Sequence, residues 1–245
     1  MTAPTMDSLK EKTALVTGAS SGVGKAIAQR LAALGALVLL VARVPAKLES
    51  AASEVRAAGG AAQTYSVDLT DDAALSRFTE EIRKQFSRVD FLIHSAGIFR
   101  AGPFASATST DFDALFRCNV RAPFFLTQAI LPQLLAAKGA VAFINSTAGE
   151  ITHANVSQYA ATKHALKAIA DTLRLEMSAH GLRVLSVFLG RTATPMQEEV
   201  CRIEGTIYEP TKLLQPAEVA EAVISSLTLP ANAEVTNLYL RPTRK

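Results

Sequence analysis

Short, continuous apolar runs alternate along the chain with longer stretches in which apolar residues recur every three to four positions, the signatures of strand and helix. Lys12–Thr17, Ala36–Ala42, Ala61–Val67, Val89–His94, Ala140–Asn145 and Leu182–Leu189 are the runs of strand length. Ala36–Ala42 is unbroken in its apolar character, as a strand covered on both faces of a parallel sheet must be. After the first run, Ile27, Leu31 and Leu34 fall on one helix face and Gly35 stops the pattern. Further helices are expected over Pro45–Ala58, which ends at Gly59-Gly60, and over the amphipathic Asp71–Phe86. A long helix follows from about Ser109 to Ala137, bent by Pro123 and Pro132. Another runs from Ser157 to His180 and is ended by Gly181. The last fifth differs: Thr192–Pro216 is mixed in pattern and reads as short helices or a mobile loop, before a helix at Pro216–Leu227 and a seventh strand at Glu234–Leu240. No repeat or linker interrupts this order. Alternating strand and helix over residues 1–245 predicts a single α/β domain, a doubly wound parallel sheet of about seven strands with helices on both faces.

Composition narrows the function classes. A chain of 245 residues, 49% hydrophobic, can bury one substantial core. The net charge of +3 comes from scattered lysines and arginines, with no basic run that would suit a nucleic acid. Ala26–Ala42, the longest apolar stretch, is broken by Arg30 and Gly35, so no membrane span is expected. Cys118 and Cys201 are isolated and lack metal-ligand spacing, and no signal peptide is evident. The expectation is a cytoplasmic chain with no metal site and no disulfide. The polar start, Met1 to Ser8, is expected to fray.

Three stretches carry candidate chemistry. Tyr159-Ala160-Ala161-Thr162-Lys163 places a phenol and an amine one helical turn apart on the same side. Neither group alone suits proton transfer at neutral pH. Together and partly desolvated, the ammonium would favour phenolate and make the phenol a usable acid and base. By itself the same spacing also fits an ordinary amphipathic helix. Gly18-x-x-x-Gly22-x-Gly24 joins the first strand to the first helix, where glycines let the backbone approach a pyrophosphate at a helix N-terminus. A plain glycine-rich turn would look similar, but its place in a β-α-β unit favours nucleotide binding. Arg43 closes the second strand with no acid at Ala42, Arg43 or Val44. An acid there would bond the ribose 2′-OH of NAD, whereas arginine accommodates a 2′-phosphate, so NADP(H) is the expected cofactor.

Gly18 to Gly24, His94-Ser95-Ala96-Gly97, Asn119, Ser146 and Tyr159-x-x-x-Lys163, in this order, resemble the short-chain dehydrogenase/reductase family over nearly the whole chain. The resemblance implies a Rossmann-type fold and a catalytic tetrad of Asn119, Ser146, Tyr159 and Lys163. Tyr159 would exchange a proton with the substrate oxygen, and Ser146, thirteen residues upstream, would polarise that oxygen. Lys163 would hold the nicotinamide ribose and depress the Tyr159 pKa. Asn119, just before Pro123, would offer a backbone carbonyl to a water linking Lys163 to solvent. The implied cofactor contacts are Gly18, Ser20, Ser21, Gly22, Val23 and Gly24 in the first turn, and Arg43 after the second strand. Asp68, which would meet the adenine amine, and Leu69 follow the third strand. Ser95, Ala96 and Gly97 follow the fourth, and Gly190, Thr192 and Thr194 the sixth. Tyr159 and Lys163 complete this set.

Two positions depart from the family pattern. His94 replaces an asparagine, which touches strand support rather than chemistry. Leu189 replaces a proline, so the fixed φ beside the nicotinamide is lost. Substrate would lie between residues 147–158 and the loop 193–215, a candidate lid. Glu150, His153 and Met196 are candidate substrate contacts, with Phe99 and Ile207 as further apolar ones. Arg191 could meet an anionic substrate or brace the loop. The resemblance also implies a homodimer or homotetramer, with Phe124, Phe125, Ala160, Ala161 and Ala168 as a candidate face. The expected activity is hydride transfer between nicotinamide and a small carbonyl or secondary alcohol. The alternative is a catalytically silent NADP(H)-binding regulator on the same fold.

Overall fold

In the computed structural model, residues 8–243 are described. The expectation of a frayed start therefore falls on residues 1–7, outside the described residues.

The apolar runs become seven parallel strands: β1 (Thr13–Thr17), β2 (Leu37–Ala42), β3 (Ala61–Ser66), β4 (Phe91–His94), β5 (Ala140–Ser146), β6 (Arg183–Leu189) and β7 (Asn237–Leu240). The helices are α1 (Gly22–Ala33), α2 (Pro45–Ala57), α3 (Asp72–Gln85), α4 (Ser109–Phe116), α5 (Ala122–Ala137), α6 (Ser157–Met177), α7 (Pro195–Glu204) and α8 (Pro216–Leu227). Alternate strand residues sort onto opposite faces. Ala14, Val16, Val38, Leu40, Ala140 and Ala142 pack with Ile27 of α1, Leu48 of α2 and Val223 of α8. Leu15, Leu39, Val41, Val141 and Phe143 pack with Phe78 of α3, Ile130 of α5 and Leu166 of α6. Both faces are thus sealed by helices, which explains why the central strands read as unbroken apolar runs.

The sheet order is β3-β2-β1-β4-β5-β6-β7. The chain winds outward from β1 in one direction and then returns to lay β4 on the other side. The reversal opens a crevice at the C-terminal ends of β1 and β4, where open α/β sheets bind ligands.

Three elements differ from the sequence pattern. The expected long helix is α4 and α5 joined by a π-helical segment, Arg117–Arg121, that holds Asn119. Pro123 has no N–H, so the Asn119 carbonyl loses the donor that a regular helix would give it, and the ladder slips. Residues 192–216 are better ordered than their composition suggests. Thr194 caps α7 by accepting from the Gln197 N–H at 3.2 Å, and Gly205 ends it at φ +67°. Strand β7 starts three residues late: the Val184 N–H donates to the Glu234 side-chain carboxylate at 2.8 Å in place of a backbone carbonyl of the ladder.

Candidate active site

One cavity of about 580 Å³ runs across the C-terminal ends of the strands. Its floor is the turn from β1 into α1. Gly18 sits at φ +66°, and a Cβ there would come within 2.8 Å of the Ser95 and Ala96 backbone. Gly22 sits at φ +56°, and a Cβ there would come 3.1 Å from the Thr194 methyl group. Ser20, Ser21, Gly22 and Val23 line the space, and Ser21 makes no side-chain cap bond at the start of α1. Gly24 does not line it. A Cβ at Gly24 would fall 2.5 Å from the Gly18 carbonyl oxygen, so its role is the close seating of α1 on the turn, not contact with a ligand. Thr17, which sequence reasoning missed, accepts from the Ser95 and Ala96 N–H groups, each at 3.1 Å, and donates to the Ile93 carbonyl. It thereby holds Ser95, Ala96 and Gly97 against the glycine turn.

Arg43, Asp68 and Leu69 line one end, joined by Lys47, a second cation one turn into α2. The signal for Lys47 was its spacing, four residues after Arg43 at a helix start. Among the described residues neither cation pairs with a carboxylate. The Asp68 carboxyl lies below its usual value: burial pushes it up, but hydrogen bonds from the Thr70 N–H and hydroxyl, helped by Arg43, outweigh that.

At the other end, Ser146, Tyr159 and Lys163 line the cavity together. Ser146 closes β5 and its Oγ accepts from the Ala148 N–H at 3.1 Å, which leaves its hydroxyl hydrogen available. Asn145 accepts from the Ser146 N–H at 2.8 Å and donates to the Lys163 carbonyl at 3.1 Å, so the strand end and α6 are pinned together. Asn119 is buried behind this wall. Its side chain accepts from the Ile98 N–H at 2.9 Å and donates to the Ile98 carbonyl at 3.0 Å and to Thr162 Oγ1 at 3.1 Å. Phe99 meets the Tyr159 ring edge-on at 4.9 Å.

The electrostatics correct one expectation. In the polypeptide the Tyr159 pKa is raised, not lowered. Lys163 Nζ donates to the Ile144 carbonyl at 3.2 Å and lies 5.7 Å from the Tyr159 ring centre. Burial pushes the phenol up to about 12, opposed by the neighbouring Ser146 hydroxyl. Burial likewise pushes Lys163 down to about 8. Cys118, also on the cavity wall and missed from sequence, is raised by burial, partly offset by Arg43 and Lys163.

The substrate-side candidates divide. His153, Met196 and Phe99 line the cavity, as do Gly190, Thr192 and Thr194. Glu150 does not: its carboxylate turns away and accepts from the Tyr239 hydroxyl at 2.6 Å. Ile207 does not either, and is exposed. Arg191 braces the loop through Glu204 at 2.7 Å. Leu189 is held in the ladder between Ser146 and Leu240, so pairing fixes the backbone where the family pattern has proline. His94 is buried, donates from Nε2 to Thr127 Oγ1 at 2.7 Å and stacks on Phe143; that tautomer follows because the Thr127 hydroxyl hydrogen goes to the Pro123 carbonyl. Its environment is structural, as expected. Of the candidate oligomer face, Phe124, Phe125, Ala161 and Ala168 are exposed, but Ala160 is buried in the core. Among the described residues no cluster of His, Cys, Asp or Glu could hold a metal ion, and no helix is long and apolar enough to cross a membrane.

A parallel sheet with a glycine turn, a strand-end cation and a Ser–Tyr–Lys cluster on one cavity defines a nucleotide-binding α/β domain of oxidoreductase type. The family model described as short chain dehydrogenase matches residues 12–204. An uncharacterized oxidoreductase of Staphylococcus epidermidis is 32% identical over 239 residues, 97% of this chain and 100% of that protein. A fatty acyl-CoA reductase of Acinetobacter baylyi is 34% identical over 225 residues, 90% of this chain and 74% of that protein. A metagenomic short-chain oxidoreductase, solved in complex with NADP, superposes with a TM-score of 0.83 at 32% identity, covering 97% of this chain and 99% of that one. The chain belongs to the short-chain dehydrogenase/reductase family of oxidoreductases.

Proposed function

We propose that the protein is an NADP(H)-dependent reductase or dehydrogenase that moves hydride between nicotinamide and a carbonyl or secondary alcohol. The observation that carries this reading is the meeting of Ser146, Tyr159 and Lys163 on the cavity that also holds the Gly18–Gly22 turn. The cradle fits a dinucleotide: the glycine turn presents its backbone to the cavity at the start of α1, and two cations, Arg43 and Lys47, flank the far end. Arg43 and Lys47 would receive the 2′-phosphate, and Asp68 and Leu69 the adenine end. The metagenomic relative's NADP complex supports the same cofactor.

The nicotinamide would supply or accept the hydride. Everything else falls to the polypeptide. The free hydroxyl hydrogen of Ser146 bonds and polarises the substrate oxygen. Tyr159 passes its proton to that oxygen in reduction and recovers it in oxidation. A phenol raised to about 12 stays protonated at neutral pH, which suits the acid in carbonyl reduction. Lys163 holds the ribose. The Asn119 carbonyl, relieved of its helical donor by Pro123, can bind a water that connects Lys163 to solvent. Helix α7 and residues 193–215 close over the substrate. The exposed Phe124, Phe125, Ala161 and Ala168 support a homodimer or homotetramer built on α5 and α6, which light scattering would test. Two free thiols, Cys118 and Cys201, suit a cytoplasmic setting.

The test follows NADPH absorbance with a panel of ketones and β-keto thioesters. Tyr159→Phe is expected to keep NADPH affinity and lose ~10²–10⁴-fold in turnover, the range for removing a general acid. A near-normal rate removes Tyr159 from its role. Tight NADPH binding with no turnover of any carbonyl would favour a silent cofactor-binding regulator instead.

A further inference from the structure

The last strand reaches both walls of the reaction end of the cavity. Leu240 accepts from the Gly190 N–H at 2.8 Å, beside the positions assigned to nicotinamide. One residue earlier, Tyr239 stands opposite Phe188 in the β6–β7 register and stacks on its ring at 4.9 Å and 12°. That stacking aims the phenol along the sheet surface, where it donates to Glu150 Oε1 at 2.6 Å. This is the length of a charge-assisted O–H···O⁻ bond, among the stronger kinds at a protein surface.

Glu150 ends the 3-10 turn Thr147–Gly149 that follows Ser146. Its N–H and that of Ile151 both bond the Thr147 carbonyl, at 3.1 and 3.0 Å. The same turn donates the Ala148 N–H to Ser146 Oγ. Beyond Glu150 the chain is exposed until Val156, yet it carries His153 and Val156 onto the cavity wall. Among the described residues, the Glu150 side chain has no other hydrogen-bond partner than Tyr239. Tyr239 is therefore the one side chain that fastens the middle of this segment to the sheet.

We propose that Tyr239 and Glu150 are positioning residues: the strand β7 phenol, by holding the Glu150 carboxylate, sets the place of the Ser146 turn and of the substrate wall 147–156. This rests on the assignment of Ser146 and residues 147–156 to substrate binding. Neither side chain lines the cavity that holds the glycine turn and Arg43, so the pair acts through the segment 147–156 and not by touching cofactor. Its two partners come from segments 89 residues apart in sequence, each ordinary alone, which is why sequence reasoning took Glu150 for a substrate contact.

The test uses the full chain with Tyr239→Phe, Glu150→Ala and Glu150→Gln. Deuterium exchange of residues 147–156 is measured together with NADPH affinity and with kcat and KM for ethyl 3-oxobutanoate. Tyr239→Phe and Glu150→Ala are expected to speed exchange in 147–156 and to lower kcat/KM about fivefold to tenfold, through KM as the substrate wall loosens and through kcat as the Ser146 turn shifts, the loss of one charged hydrogen bond. NADPH affinity should stay within about twofold, since no cofactor contact changes. Glu150→Gln keeps an acceptor oxygen without the charge and should restore both readouts in part. Unchanged exchange and KM in Tyr239→Phe overturn the proposal, as does an equal loss in Glu150→Gln. If the parent does not reduce this ester, the reduction reading weakens, and the exchange result alone decides the fastening.

Discussion

The cofactor end and the substrate end of the cavity are made from different parts of the chain. The first is backbone: tight turns at the ends of β1 and β4, glycines whose missing Cβ atoms leave the space, and Thr17 tying two turns together. Each turn is rooted in strands buried on both faces. The second end is mostly side chains on exposed segments: His153, Met196 and Arg191 on loops and on the one-sided helix α7. A backbone-built surface has few ways to change without breaking the fold. A surface of side chains on loops can change freely. That difference predicts a rigid, substitution-sensitive cofactor end and a tolerant substrate end that sets specificity.

The sharpest way to separate the two ends is charge. Arg43→Asp puts a carboxylate beside Asp68 and opposite the proposed 2′-phosphate. NADPH affinity should fall roughly tenfold to hundredfold, from the loss of a charged hydrogen bond and the added repulsion, with NADH much less affected. Fluorescence titration with both cofactors measures it. Equal losses would mean that Arg43 shapes the wall but does not read the phosphate.

A second prediction concerns how deeply the cofactor end is rooted. His94 sits at the end of β4, fully buried, and burial pushes its pKa down to about 3. The unfolded chain, with histidine near 6.5, binds the extra proton between these two values. Stability must therefore fall as pH drops from about 6.5 towards 3, by up to ~1.4 kcal/mol per pH unit from this group. His94→Asn, the residue of the family pattern, should flatten the urea-midpoint profile between pH 7 and 5 relative to the parent. Parallel profiles would show that His94 does not drive the acid loss.

The same contrast can be read with one type of substitution at two glycines. Gly24→Ala drives a methyl to 2.5 Å from the Gly18 carbonyl oxygen and should cost about 3 kcal/mol, as overpacking of a fixed backbone does. Gly205→Ala, after α7, meets nothing within 4 Å and should cost only about 1 kcal/mol for its left-handed backbone. Denaturant midpoints compare them. A Gly205 cost matching that of Gly24 would mean that the substrate end is as tightly built as the cofactor end.

Legibility in the sequence followed the same division. The sheet, the glycine turn and the shared side of Tyr159 and Lys163 were readable because strand burial, glycine turns and helix spacing are local rules, whereas Ser146 entered only through the family resemblance. The π segment was not, since the proline signalled a disturbance but not its form. Glu150 was misread because its partner, Tyr239, comes from the far end of the chain. Spacing on a helix fixes the side that Tyr159 and Lys163 share, but not where a long amine turns its tip; here it turns to the Ile144 carbonyl. Lys47, four residues after Arg43, drew no reading, and the fold places it beside Arg43 on the cavity. Helix α7 was obscured by a pattern that buries only Gln197 and Cys201.

The smallest expected effect tests whether the tolerant end also moves. Residues 192–214 are fastened at their root: the Ala193 N–H bonds the Leu214 carbonyl at 2.8 Å, and the Leu214 N–H bonds the Arg191 carbonyl at 3.2 Å. Beyond the buried Cys201, the last turn of α7 is tied by the exposed Arg191–Glu204 pair, and such pairs contribute about 0–1 kcal/mol. A helix fixed at one end and weakly pinned at the other is built to swing about its root. Arg191→Ala should leave the denaturation midpoint almost unchanged while thermolysin cuts residues 204–212 a few times faster, as the local opening free energy falls by less than ~1 kcal/mol. Saturating NADPH should slow that cleavage in the parent, because a closed α7 covers the cofactor. If NADPH leaves the cleavage rate unchanged, α7 is a fixed wall, and the two ends of the cavity differ in composition but not in mobility.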